Sequence, residues 1–342
     1  MTPAEILAMR PSQLFPGTPA EVRKRFGQLV LQWHPDKRPA GLHDESEKVF
    51  QHILKCRDAA LRGEEGLQRV VFTRRRPAAG QAAKFALDYM HAAAFEGGTL
   101  YVSHENISYL VERGQEHLCA PALNMRWNFA DRKVEQEMTK YLPRRNRWEQ
   151  VEQGTLMVYK RNTDQILLSD LLRWEKDRGA NVDPRHVMWI ISSLLNTCCY
   201  LQIQKTSHCA LIPHYLLVSP DMHSVALCGP PLYAVPYGTR PKAVPQQVLD
   251  LYPRLKTAGV TVDDSRLDLT LVRALALEAL GVTSVAGLAR ADHLHPGLRK
   301  WLATPAPASA LQDYKNWEEM RGKRAFTPYG TTANEMYVAL AA

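Results

Sequence analysis

Trp33-His34-Pro35-Asp36-Lys37 lies between two stretches of sequence that both have the apolar spacing of an amphipathic helix. The first stretch starts at Thr18-Pro19-Ala20-Glu21, which combines a capping threonine, a proline suited to the first helical position and the glutamate of a capping box. Its apolar residues recur every three or four positions and predict one buried face, formed by Val22, Phe26, Leu29 and Trp33. Because the residue before a proline disfavours helical conformation, this helix ends before Pro35 and a loop follows.

A second helix is predicted to begin near Asp44, where Glu47 repeats the capping pattern. Its predicted apolar face consists of Phe50, Ile53, Leu54 and Leu61. Since a loop of about ten residues joins the two helices, we expect them to pack antiparallel, with a short apolar helix at residues 5–9 across them. Residues 1–63 are therefore expected to form an all-α helical hairpin.

This arrangement resembles the J domain of DnaJ-type co-chaperones. J domains have a short first helix, a basic second helix ending in W-H-P-D-K and a third helix of the pattern E-x-x-F-x-x-I. The matching parts of this chain are residues 5–9, the stretch from Trp33 to Lys37, and Glu47, Phe50 and Ile53. The match covers residues 4–62 and departs from the family at Ala8, where glycine is usual.

The resemblance implies that this unit docks on a DnaK-type heat-shock chaperone and stimulates its ATPase. It implies that four basic residues contact an acidic patch of the chaperone, namely Arg23, Lys24, Arg25 and Lys37. Charges of this kind also accelerate association. It also implies that His34, Pro35 and Asp36 contact the interdomain linker region of the chaperone. The alternative is that the tripeptide only caps helix ends and the charges form a solvated surface.

Residues 64–84 are expected to be a basic linker. Glu64-Glu65-Gly66 ends the helical unit, and residues 74–80 combine three arginines with residues that break regular structure. Residues 1–80 carry 14 Lys and Arg against 9 Asp and Glu, so most of the net charge of +8 lies there. Such a segment can contact RNA or DNA, but no alternation of basic and aromatic residues accompanies it, which disfavours a nucleic-acid partner.

From about residue 85 the pattern predicts short strands and then helices. The predicted strands are 98–102, 107–111, 122–129 and 155–160, with a hairpin turn at 103–106. The predicted helices are 130–141 and 183–203, and the second has Cys198 and Cys199 among its apolar residues. This order resembles, remotely, a protein kinase over residues 85–302. We accordingly expect an α+β bilobal kinase-like domain at 85–303, with a small lobe at about 85–163 and a helical lobe at about 164–303.

Three local patterns support the second resemblance. Residues 208–218 follow the kinase catalytic-loop pattern H-R-D-L-x-P-x-N-I-L-L, starting at His208. Residues 223–229 lie where the metal-binding D-F-G strand is expected. Gly238-Thr239, Val244-Pro245-Gln246 and Asp268 are similar to the G-T, A-P-E and buried aspartate of the helical lobe.

The chain departs from the kinase pattern at the groups that phosphoryl transfer needs. Ala210 stands at the base aspartate, Tyr215 at the metal-binding asparagine, and Cys228 in the D-F-G strand. The turn at 103–106 is not glycine-rich. Arg126 is the basic residue nearest to the missing strand lysine, with Glu135 or Glu137 as its expected partner. The resemblance therefore implies a pseudokinase that is not an enzyme and uses no cofactor or metal.

Residues 304–342 are predicted to be a C-terminal helical extension. Proline and alanine interrupt regular structure at 304–308, and Thr332 with Glu335 forms a capping box for the last helix. A stripe at helical spacing precedes that helix and consists of Leu311, Tyr314, Trp317 and Met320. Such a stripe favours packing on the main body over a free partner helix.

Other interpretations remain open. The second region can be an unrelated α+β domain, with His208 and His214 as ordinary histidines. A metal site from His208, Cys209 and His214 has no known ligand spacing, and a Cys-His nucleophile pair has no orienting group. The whole chain can also be an atypical nucleotide-binding enzyme, or a viral-type protein that hijacks the host chaperone.

Composition bears on compartment and on partners. None of the six cysteines forms a C-x-x-C pair, the first residues lack a secretory pattern, and no run of about 18 apolar residues occurs. We therefore expect a reduced, cytoplasmic protein without a membrane segment. The sequence as a whole predicts a co-chaperone-like adaptor whose partners are a DnaK-type chaperone and a client protein of unknown identity.

Overall fold

The computed structural model describes residues 1–16, 19–33, 43–62, 67–220, 222, 224–322, 327 and 329–341. Within these ranges the chain is a mixed α+β protein with helices at both ends and four β-sheets between them. None of the described helices has the length and apolar character needed to cross a membrane.

Four helices form the N-terminal part: α1 Pro3–Ala8, α2 Pro11–Leu14, α3 Pro19–Trp33 and α4 His43–Arg62. Helices α3 and α4 pack against each other, and α1 and α2 pack on α4. The helical core, as we call it, consists of Ile6, Leu14, Phe15, Val22, Leu29, Trp33, Val49, Ile53 and Cys56. The predicted face of α3 is confirmed, with Phe26 half-buried at its edge. The predicted cap Thr18 lies outside the described residues.

The predicted face of α4 is only partly correct. Ile53 is buried, but Phe50 and Leu54 are half-buried, and Val49 and Cys56 occupy the interior. The buried residues of α4 have helical spacing, but one of them is a cysteine. A buried cysteine behaves as a small hydrophobic residue, and its presence is a weak indication of an apolar face. The side chain of Leu61 lies outside the described part of the chain.

The prediction of a linker at 64–84 is wrong for residues 68–74. Strand β1 Gln68–Thr73 pairs antiparallel with β2 Lys84–Tyr89. Phe72 is buried, and Arg74 lies in a buried position where its guanidinium meets Glu149 at 3.1 Å. Because Arg74 pairs with a residue that is far away in the sequence, this basic segment is part of the fold.

A five-stranded antiparallel sheet follows. Its strands are β3 His91–Phe95, β4 Gly98–Val102, β5 Asn106–Glu112, β6 Arg144–Val151 and β7 Gly154–Lys160, in the order β3-β4-β5-β7-β6. The strands predicted at 98–102, 107–111 and 155–160 are confirmed. Strands β3 and β6 were not predicted. β3 is mostly alanine and β6 begins with a run of charged residues, and residues of both kinds have low strand propensity.

Two helices connect β5 to β6: α5 Cys119–Asn124 and α6 Arg132–Met138. The strand predicted at 122–129 is therefore wrong. Alanine, leucine and a proline near the helix start favour the helix there, and the residues after Asn124 are irregular. The helix predicted at 130–141 is confirmed over a shorter range, with Asp131 as its N-cap.

The remaining elements are mostly helical. They are β8 Ile166–Leu167, α7 Leu168–Asp177, α8 Pro184–Ile203, β9 Thr206–Ser207, β10 Leu216–Ser219, β11 Ser224–Leu227, β12 Val235–Pro236, α9 Gln246–Leu251, α10 Arg266–Ala279, α11 Pro296–Ala303, α12 Ala310–Arg321 and α13 Ala333–Ala341. Strands β11, β10 and β8 form one small sheet, and β12 pairs with β9. The long helix predicted at 183–203 is confirmed, with Asp183 capping α8.

The C-terminal helices belong to the same hydrophobic core as α8 and α10. Trp317 is fully buried, and its indole nitrogen donates to the Ser192 hydroxyl at 2.8 Å. Leu311, by contrast, is 53% exposed, so only part of the predicted stripe faces the body. The capping box of Thr332 and Glu335 at the start of α13 is confirmed.

Candidate functional sites

The first candidate site is the basic surface of α3. Arg23 and Lys24 are exposed, as a docking function requires. Arg25 is half-buried, and its Nε donates to the carbonyl oxygen of Leu14 at 2.5 Å, so this residue also holds α2 against α3. His34, Pro35, Asp36 and Lys37 lie outside the described residues.

The second candidate site lies where the kinase resemblance assigns catalytic groups. Asp268 on α10 is buried, and its two carboxylate oxygens accept the backbone N–H groups of His208 and Cys209 at 2.9 and 3.0 Å. The two hydrogen bonds span about 60 residues of sequence and fix the backbone just before Ala210. Cys209 has a φ of 59°, a left-handed conformation that is uncommon for a residue with a side chain.

Burial controls protonation at this point. It raises the pKa of the Asp268 carboxyl to about 6, and it lowers the pKa of the His208 imidazole to about 4. His208 is thus neutral at pH 7, and Nδ1 of its ring has no hydrogen-bond partner among the described residues. His208 is therefore a buried core residue.

Tyr109, on β5, fills the space beside Cys228. Its hydroxyl lies 3.2 Å from the carbonyl oxygen of His214, 3.3 Å from the Cys228 sulfur and 3.4 Å from the Cys228 carbonyl oxygen. Its ring stacks on that of Tyr215 with 5.9 Å between centroids. Burial raises the pKa of Tyr109 well above its ordinary value and that of Cys228 to about 12, so neither group ionises near pH 7.

Two further rings complete this packing. Phe95, at the end of β3, meets Tyr109 edge-on at 5.6 Å, and Tyr233 meets Tyr215 edge-on at 5.7 Å. The Tyr215 hydroxyl donates to the Tyr233 hydroxyl at 3.3 Å. These edge-on and stacked geometries are favourable for aromatic pairs. We call Phe95, Tyr109, Tyr215 and Tyr233 the aromatic cluster.

Gly229 makes the cluster sterically feasible. Its φ of 70° lies in the left-handed region, and a Cβ at this position would overlap the ring of Tyr109. The glycine of Leu227-Cys228-Gly229 is therefore required by the tyrosine packed against it.

A buried acidic group that the sequence did not single out lies at the start of α7. Asp170 is 3% exposed, and its Oδ1 lies 3.3 Å from Nε2 of His91 on β3. Burial raises the pKa of Asp170 and lowers that of His91, so burial favours the neutral form of each. No sequence signal pointed to this pair, because its members are far apart in the chain and β3 was not predicted.

The hairpin turn predicted at 103–106 is confirmed and joins β4 to β5. A second hairpin, which was not predicted, joins β3 to β4 through Glu96-Gly97. Arg126 does not face Glu135 or Glu137. Its Nη1 donates to the carbonyls of Leu123 and Met125, while Glu137 pairs with Lys140.

No three His, Cys, Asp or Glu side chains of the described ranges are grouped so that they could hold a metal ion. The Cys209 sulfur donates to the Ser207 hydroxyl at 3.3 Å. No protein-family model matches the chain, and no curated protein matches it.

Proposed function

We propose that this protein is a co-chaperone-like adaptor. Its N-terminal helices are a J domain that recruits a DnaK-type chaperone and stimulates its ATPase. Its second part is a kinase-like domain without phosphotransfer activity that binds a client protein. The observation that carries the first half is the helical core, which packs α3 against α4, with α3 ending at Trp33, the residue that precedes His34-Pro35-Asp36 in the sequence.

Charge on α3 supports the docking function. Arg23 and Lys24 are solvent-exposed and have no acidic partner among the described residues. Unpaired exposed cations attract an acidic surface over a distance of about 10 Å at moderate salt.

The order of elements supports the kinase-like assignment. A five-stranded antiparallel sheet with helices inserted after its third strand precedes a helical part. Two positions that the resemblance aligned, His208 and Asp268, are joined by a hydrogen bond across that helical part.

The aromatic cluster argues against phosphotransfer. Phosphoryl transfer depends on metal ions and on a carboxylate that positions the nucleophile. Ala210, Tyr215 and Cys228 supply no carboxylate, and the rings of Tyr109 and Tyr215 occupy the space next to Cys228. The atypical nucleotide-binding enzyme is thereby the weaker hypothesis.

The test is a single-turnover ATPase assay with a DnaK-type chaperone. The native chain and a control, His293→Gln at an exposed site outside the helical unit, should accelerate hydrolysis equally. His34→Gln should remove most of the acceleration while the chain stays folded by circular dichroism. If none of the three chains accelerates hydrolysis, or if all three do so equally, the proposal is wrong.

A further inference from the structure

A cavity of about 550 Å³ lies between α5, with the loop after it, and the loop that contains β12. This volume falls within the range of about 300–1,000 Å³ that is usual for small-molecule sites. The cavity is separate from the aromatic cluster except at Tyr233, which contributes to both.

Hydrogen bonds hold both walls in place. On one side Gln204, at the end of α8, donates to the carbonyl oxygen of Asn128 at 2.7 Å and accepts its N–H at 3.2 Å. Tyr200 donates to the same carbonyl at 3.0 Å. On the other side β12 pairs with β9. A ligand would meet a largely preformed site, which reduces the entropy lost on binding.

The lining combines an apolar interior with cations. Apolar side chains cover most of the wall, among them Leu118, Pro121, Met125, Leu232, Ala234 and Val235. Three permanent cations, Arg126, Arg240 and Lys242, also line it, and Asp and Glu are absent from the lining residues. All three cations are exposed, and none has an acidic partner in the described part of the chain.

We propose that this cavity binds a small amphiphilic anion, with its apolar body against the inner wall and its carboxylate or phosphate among Arg126, Arg240 and Lys242. Nε and Nη groups of arginine suit planar or tetrahedral oxyanions. Nη1 of Arg126 is held by two backbone carbonyls, at 3.1 and 3.2 Å, which orients that guanidinium before a ligand arrives. This site goes beyond the proposed chaperone function and does not depend on it.

Four probes that each carry a ten-carbon chain test the chemical class on the full chain by isothermal titration calorimetry: decanoate, decyl phosphate, decanol and decyltrimethylammonium. One or both anions should bind, more weakly at high salt, because exposed charges are screened. The choice between decanoate and decyl phosphate identifies the head group. Binding of the neutral or cationic probe as tight as that of the anions, or no binding at all, overturns the proposal.

Location is tested with a methyl-labelled methionine spectrum. The Met125 signal, assigned with Met125→Leu, should shift on adding the anion, whereas that of the buried Met188 on α8, which does not line the cavity, should not. A shift at Met188 without one at Met125 overturns the assignment of the site.

A matched pair of double variants isolates the cations. Arg240→Gln with Lys242→Gln should weaken anion binding about tenfold or more, the effect of losing one or two charge-assisted hydrogen bonds. Arg254→Gln with Lys256→Gln removes the same charges from exposed residues outside the cavity and should leave binding unchanged. Equal weakening in both double variants would mean that only net charge matters and would overturn the site.

Discussion

At Gly229 the energetic cost of backbone strain can be measured separately from the cost of overpacking. Gly229→Ala adds a methyl group that overlaps the Tyr109 ring and also forces alanine into a left-handed backbone. We expect a loss of about 3 kcal/mol in the free energy of unfolding, from about 1–2 kcal/mol of backbone strain and a similar cost of overpacking. Urea unfolding measures it.

The matched control is Gly259→Ala. Gly259 has a φ of 80°, but a Cβ there meets nothing within 4 Å. This variant should lose only the backbone part, about 1–2 kcal/mol. Equal losses at both glycines would show that Tyr109 does not press on Gly229 in solution.

His208 and Asp268 should impose opposite pH dependences on stability. The folded His208 has a pKa near 4, below its ordinary 6.5, so the stability it permits is lost as pH falls from 6.5 towards 4. The folded Asp268 has a pKa near 6, above its ordinary 3.8, so its contribution is lost as pH rises from 4 to 6. The two effects, each about 3 kcal/mol at 1.36 kcal/mol per pKa unit, largely cancel in the native chain.

Single substitutions should reveal each effect. The cost of His208→Gln should grow as pH rises from 4 to 6.5, and the cost of Asp268→Asn should shrink over nearly the same window. Urea unfolding of the three chains at four pH values provides the measurement. Parallel pH profiles for native chain and variants would contradict the burial-driven pKa values.

At the scale of elements, one ion pair joins three helices. Arg273 on α10 binds Asp313 on α12 through two hydrogen bonds of 2.7 and 2.8 Å, and Trp301 on α11 donates to the same carboxylate at 3.1 Å. Both charged side chains are almost fully buried, at 8% and 2% exposure. Asp313→Ala would leave the Arg273 charge buried and unpaired, so we expect a loss of about 3–5 kcal/mol by urea unfolding.

The comparison is Glu318→Ala on the same helix. Glu318 pairs with Arg321 one turn away, and both side chains are about one third exposed. Exposed pairs contribute at most about 1 kcal/mol, so this loss should be small. A loss of stability as large as that of Asp313→Ala would mean that removing any charge from α12 destabilises the fold, whether or not the charge is buried.

Elements were predictable where local signals agreed. Helix α8 combines a capping aspartate, a proline at its first position and a wide apolar face, and its bounds follow from the sequence. Arg74, directly after strand β1, pairs with Glu149, which is 75 residues away in the chain, and no local pattern reveals such a contact. Helix α5 is short and apolar, a case in which periodicity does not separate helix from strand.

The whole molecule contains hydrophobic cores that share no residue. The helical core lies within residues 6–56, and the core to which α8, α10 and the C-terminal helices belong, which we call the main core, lies within residues 100–337. Calorimetry should therefore resolve separate transitions. Ile53→Ala, at a fully buried site, should lower only the transition of the helical unit by about 2–5 kcal/mol of stability, and Leu271→Ala on α10 only that of the main core. If either substitution lowers both transitions together, the two parts unfold as one.

At this scale the sequence predicted an α+β chain with a helical N-terminal unit, but not the contents of the candidate sites. The absence of carboxylates at Ala210 and Cys228 was readable from the sequence. The filling of the same space by Phe95 and Tyr109 was not, because these rings come from strands whose partners are set by tertiary contacts. The cavity beside α5 was hidden for a related reason, since a strand had been predicted there.

The aromatic cluster also limits what redesign could achieve. A carboxylate introduced in place of Cys228 would lie against the Tyr109 hydroxyl, and the Tyr109 ring is in turn stacked on that of Tyr215. Space for that carboxylate would require removing one of these rings, and each removal would open a void in the hydrophobic core. Placing a charged group at position 228 is therefore limited by the volume of the neighbouring rings as well as by the cost of burying the charge.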